Sequence, residues 1–176
     1  MSDDILDLDG VKDDTNRMAV AIGFVLVALA GFVDWYEIEA SVSDGDYTET
    51  VMEVDVTGED AREGIDNAKY LWFLSFIGLG AILLNKIGDD NYGNLFLGMG
   101  VVCLLLAYSV YSEIKEAADD AEDAADEMAD WYSEDGYDIS GDLDMKYKMG
   151  YYMTLIGPLV VLYGGYNLYN ENKNRP

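Results

Sequence analysis

Apolar and polar positions segregate along this chain of 176 residues. Four blocks, Met18–Val33, Tyr70–Leu84, Leu95–Val110 and Tyr151–Tyr166, contain no Asp, Glu, Lys, Arg or His. Within Ala19–Ala30 no helical phase leaves a polar face, which a helix of a soluble four-helix bundle would need. A bilayer core takes roughly 17–25 predominantly apolar residues per helix, and each block reaches that length once its Trp, Tyr, Gly and Asn flanks are counted. The pattern predicts a mainly α membrane protein, a four-transmembrane-helix bundle with a small extracellular α+β region. Its helices are expected over 18–36, 68–86, 93–132 and 149–169. Between them fall an inner tail (1–17), an outer loop (37–67), an inner turn (87–92), an outer acidic loop (133–148) and a second inner tail (170–176).

The first outer loop has a strand period. Ile38, Ala40 and Val42 alternate with Glu37, Glu39 and Ser41, and Thr50, Met52, Val54 and Val56 resume the alternation after Asp44-Gly45-Asp46. Alternation on both sides of turn residues predicts a β-hairpin. A three-residue loop with a glycine bulge sets Ile38 against Met52 and Tyr36 against Val54, gathering apolar residues on one face. An isolated hairpin is marginal in water, so it needs a surface to lie on. Ile114, Ala117, Ala118, Ala121, Ala124, Ala125, Met128 and Tyr132 recur at helical steps beyond the third apolar block, with no Gly or Pro between. One continuous helix projecting outward is therefore expected, its alanine seam open to the hairpin or to another subunit. Residues 133–148 return the chain as loop or short strand.

Charge adds an orientation. Asp and Glu number 35 against 10 Lys and Arg, a formal net charge of −25. Basic residues divide evenly between the two sides, but those of the tails and inner turn are the denser set, which favours that side as cytoplasmic. Both termini are thus expected in the cytoplasm of a cell-membrane, multi-pass protein, with the two long acidic loops outside. An acidic leader before the first block is the reverse of a secretory signal. Such acidity excludes a phosphate-tracking nucleic-acid binder and a polybasic lipid anchor. It suits a solvated surface, cations, basic partners or a high-salt milieu.

Candidate chemistry is sparse. Without histidine, no Ser-His-Asp, Cys-His or His-ligated metal site can form within the chain, and no cofactor or catalytic residue is expected. The apolar blocks hold no ionisable group of the kind that ion and proton pathways need; Pro158 after Gly157 reads as a packed kink. Cys103 lies inside the third block and reads as a small buried hydrophobe. Asp135, Asp138, Asp142 and Asp144 fall in a glycine-bearing stretch and are weak calcium candidates, the EF-hand spacing being unmet. Gly98, Ala107, Ala117, Ala121, Ala124 and Met128 are candidate helix-interface positions, since small residues let helices approach closely.

Four spans, a hairpin loop opening on Asp34-Trp35-Tyr36 and a short inner turn resemble the claudin-like and tetraspanin-like plan. The chain has neither the Gly-Leu-Trp and paired cysteines of claudins nor the Cys-Cys-Gly of tetraspanins, and no functional residue carries over. Its acidity is similar to that of proteins from salt-adapted archaea. The resemblance and the lack of catalytic groups imply a non-enzymatic structural or accessory subunit, with membrane lipid, other membrane subunits or a second copy, and cations as partners. A small transporter or channel component and an outer-face ion or ligand sensor are the alternatives.

Overall fold

A computed structural model describes residues 11, 14–44, 47–84, 89–134 and 139–173. In chain order its elements are α1 (Thr15–Ala30), β1 (Asp34–Asp44), β2 (Tyr47–Thr57), α2 (Gly58–Gly64), α3 (Asp66–Leu83), α4 (Asp89–Glu134), β3 (Ile139–Tyr147) and α5 (Met149–Lys173).

Both ends of α1 are fixed by side chains. Asp14 caps its start, one carboxylate oxygen accepting from the backbone N–H of Asn16 at 2.8 Å and of Arg17 at 3.1 Å. Of its last carbonyls, Ala28 O and Leu29 O accept from the backbone N–H of Gly31 and Phe32, and two indoles add to these: Trp35 Nε1 donates to Ala30 O at 2.5 Å and Trp72 Nε1 to Ala28 O at 3.1 Å. The helix expected over 18–36 therefore stops at Ala30, and Trp35, 3% exposed, is a core residue of β1 rather than the flank of a membrane helix.

Three antiparallel strands follow in the order β2-β1-β3. The hairpin of β1 and β2 closes through Asp44↔Tyr47, so two residues connect the strands where three were expected. A register shift between Ala40 and Ser41 then corrects the phase, giving Ala40↔Met52, Ile38↔Val54 and Tyr36↔Val56. The extra residue sits mid-ladder as a bulge rather than in the turn. Residues 139–147 form β3, whose Tyr147, Met145 and Asp144 lie opposite Tyr36, Ile38 and Glu39 of β1. The end of β2 passes into α2 through a capping box in which Thr57 Oγ1 accepts from Asp60 N at 3.2 Å and Asp60 Oδ2 accepts from Thr57 N at 3.0 Å.

The helices pack in a ring: α1 against α3 and α5, and α4 against α3 and α5. Close approach depends on glycine. A Cβ on Gly23 would stand 2.6 Å from Gly157 O, and one on Gly164 would stand 2.7 Å from Asn16 O, so α1 and α5 cross nearly backbone to backbone. On the other side of α5, Gly165 meets Leu97 N of α4 at 2.7 Å by the same measure. Pro158 stays inside α5 and is buried. One core, including Phe24, Leu71, Ile82, Phe96, Cys103 and Val161, fills the ring. A second, of Trp35, Ala61, Ala68, Val110 and Ile114 with Tyr36 and Met145 against it, joins the sheet to α2, α3 and α4.

Among the described residues one helix is long and apolar enough to cross a membrane, the Asn91–Asp123 part of α4. This overturns the expected four-transmembrane-helix bundle. At ~1.5 Å per residue the 16 residues of α1 extend only about 24 Å, short of the ~30 Å hydrocarbon core. The apolar part of α3, Asn67–Leu83, is likewise short of a span. The 25-residue α5 has the length, but Tyr, Gly and Asn dilute its apolarity. The aromatic flank counted toward the first span belongs elsewhere: Trp35 and Tyr36 are strand residues. The third apolar block does continue into its acidic extension, as 46 residues of unbroken helix.

Candidate functional site

Strand alternation sorts the sheet into two faces. Tyr36, Ile38, Val54, Val56, Met145 and Tyr147 share one, and Glu37, Glu39, Glu53, Asp55, Asp144 and Lys146 share the other. Two cross-strand rows result on the charged face, Asp55–Glu37–Lys146 and Glu53–Glu39–Asp144. Lys148 sits at the end of β3, held by its N–H to Trp35 O at 2.7 Å, and its side chain reaches the first row.

Glu37 is the centre of this patch. Only 7% exposed, it receives the Lys148 ammonium on Oε2, while Lys146 Nζ lies 3.7 Å from Oε1. Lys146 also pairs with Glu39 at 2.5 Å, and Lys148 approaches Asp55 at 4.0 Å. A buried carboxylate is tolerated when charges of opposite sign and hydrogen bonds replace water. Donation from Lys148 holds the Glu37 carboxyl below its ordinary range. Glu39 raises the affinity of Lys146 for its proton, and Glu37 does the same for Lys148.

These shifts bound the chemistry. A general acid or base works best with a pKa near the ambient pH, whereas here the carboxylate is made more acidic and the ammoniums more basic. Glu37, Lys146 and Lys148 are thereby held in their charged forms near neutrality. Ligand oxygens of Glu37, Glu39 and Glu53 lie within 4.8 Å of one another and could together hold a cation. In the structure ammonium groups already stand against two of the three carboxylates.

The candidates taken from the sequence scatter. Asp135 and Asp138 lie outside the described residues. Asp142 and Asp144 belong to β3, opposite Ser41 and Glu39, so they are strand residues rather than members of a calcium-binding loop. Ala107 is buried in the helical core, Gly98 is exposed with open space where a Cβ would stand, Ala117 is exposed and Ala121 half-buried. Ala124 and Met128 lie on the same helix farther out. The sheet meets α4 in the cluster that holds Tyr36 and Met145 with Val110 and Ile114, at the start of the alanine seam, and β3 packs along the helix. Glu37, Glu39, Lys146 and Lys148 were the residues missed; the Lys-x-Lys spacing of β3 was the available signal.

No protein-family model matches the chain and no curated protein matches it, so nothing identifies a claudin-like or tetraspanin-like family.

Proposed function

We propose that this protein is a non-enzymatic structural or accessory component of a membrane assembly. The long helix α4 lies in lipid, and the charged sheet stands outside as a surface for protein contact. The observation that carries this reading is the apolar surface. Large side chains on several helices face outward, among them Ile22 and Leu29 of α1, Phe73 of α3, Leu105 of α4 and Leu159 of α5, with Phe73 63% and Leu105 64% exposed. Water-soluble monomers rarely expose contiguous apolar patches beyond a few hundred Å². The non-enzymatic part of the reading is supported by a charged patch fixed in one protonation state.

Carbonate washing and flotation test the lipid-embedded reading. The chain should remain with the membrane after high-pH extraction, and Leu105→Arg, which places a charge near the middle of the apolar segment at a cost of about 2.5–3.5 kcal/mol, should shift it toward the extracted fraction. A wild-type chain recovered as a monomer without detergent would end the reading. Contact through the sheet is tested separately, by a photo-crosslinker at Asp144: a stoichiometric protein adduct in native membranes is expected, and the absence of any protein adduct counts against it.

A further inference from the structure

The row Asp55–Glu37–Lys146 differs from one edge of the sheet to the other, whereas Glu53–Glu39–Asp144 is acidic throughout. On the β3 side, Lys146 and Lys148 answer Glu37 and Glu39. On the β2 side the rows end in acids: Asp55, 4.0 Å from Lys148, and Glu53, exposed and without an ion pair among the described residues. Beyond them the outer edge of β2 pairs with no described strand. An unpaired edge presents backbone N–H and C=O groups that a further strand can take up. On the opposite face of the same strand, Val54 is 40% exposed beyond the part of the sheet that rests on α4.

We propose that the β2 edge accepts, by strand addition, an extended segment of a partner protein in which Lys or Arg alternates with apolar residues. The inference deepens the protein-contact reading above and rests on it. The chain itself holds the template: β3 alternates Met145 and Tyr147 with Lys146 and Lys148, and it is this strand that occupies the other side of β1. An incoming strand of that pattern would set its cations beside Glu53 and Asp55 and its apolar residues beside Val54 and Val56. A second copy offering its own β2 would instead place acid against acid, which costs free energy. Charge complementarity thus selects a basic strand over a second β2 at this edge.

The test uses the full chain in detergent and a short fluorescent peptide of alternating Lys and Val, followed by anisotropy. Saturable binding is expected, weakened about tenfold or more by Glu53→Lys with Asp55→Lys and little changed by charge reversal at Glu116, an exposed residue of α4 outside the sheet. Glu53→Gln with Asp55→Asn should weaken it less, which guards against misfolding of the reversed variant. Two further peptides carry N-methyl groups on odd or on even amides. In an edge-paired strand only one set of amides faces β2, so one methylated peptide should lose binding and the other keep it. Equal binding of both, or no binding of the unmodified peptide, overturns strand addition. A protein adduct at Asp144 with an inert β2 edge would leave the contact reading standing and remove this one. Concentration-dependent dimers linked through β2 would overturn the choice of occupant.

Discussion

Gly23 and Gly157 meet at the crossing of α1 and α5, each in the space where the other's side chain would stand; a Cβ on Gly157 would lie 2.7 Å from Gly23 O. The two helices approach closely enough for Val27 and Val161 to fill the flanks of the contact. Gly98, on the apolar part of α4, has no such neighbour.

The two kinds of glycine should respond oppositely to substitution. Gly23→Val forces a shift against backbone atoms and should destabilise by about 1–3 kcal/mol or more, as overpacking does. Gly98→Ala meets open space and removes the helix penalty of glycine, so it should be neutral or stabilising by up to about 1 kcal/mol. Thermal unfolding in detergent, followed by circular dichroism, measures both; equal losses would refute the close crossing.

The indole of Trp35 ties the first strand to the end of α1. Trp35→Phe keeps most of the ring volume but leaves the Ala30 carbonyl without its donor, an expected loss of about 1–3 kcal/mol. The same change at Trp72, which is half-buried, should cost less. Chemical unfolding curves for the two variants should rank them in that order.

Stability of the sheet should depend on pH at both extremes. The Glu37 carboxyl is held below its ordinary 4.5 in the folded state, so its contribution is complete above that value and is lost as pH falls through the lower folded one. Lys146 and Lys148 are held above their ordinary 10.5, so their contribution is complete below it and is lost as pH rises through the folded values. Glu37→Gln should flatten the acid limb of a stability profile and lower the neutral plateau, because two ammoniums lose their shared partner. An unchanged acid limb would show that other carboxylates govern it.

Asn67 links α3 to the middle of α4. Its Nδ2 donates to Ser109 Oγ at 2.8 Å and to Glu113 Oε1 at 2.6 Å. Asn67→Ala should lose about 1.5–3 kcal/mol, the range for hydrogen bonds to a charged group. Asn67→Asp should lose more by setting two carboxylates together, and adding Glu113→Gln should recover part of that loss. A double-mutant cycle with additive losses would remove the pairing.

Some of this architecture was legible in the chain. Alternation from Tyr36 to Val56 located the hairpin because a half-buried strand shows its period directly. The unbroken run from the third apolar block into Ala117 and Ala121 foretold a single long helix because nothing in it interrupts the ladder of backbone bonds. The hairpin register was misjudged because the choice between a longer turn and a bulge at mid-strand is made by how the two faces pack, not by the turn residues alone.

What the sequence by itself determined was local: which segments are apolar on all sides, where strands alternate, and that a chain without histidine has no Ser-His-Asp or Cys-His group. Tertiary structure decided where those segments end and what they touch. Trp35 and Tyr36 read as the flank of a membrane helix until the Ala30 carbonyl, close only in space, took the Trp35 indole and released the chain into β1. The Glu37 patch was likewise beyond sequence reading, since its lysines lie 109 and 111 residues away and only the β1–β3 register brings them to one face. Periodicity records the average surroundings of a segment; ion pairs and backbone crossings depend on individual partners that folding alone selects.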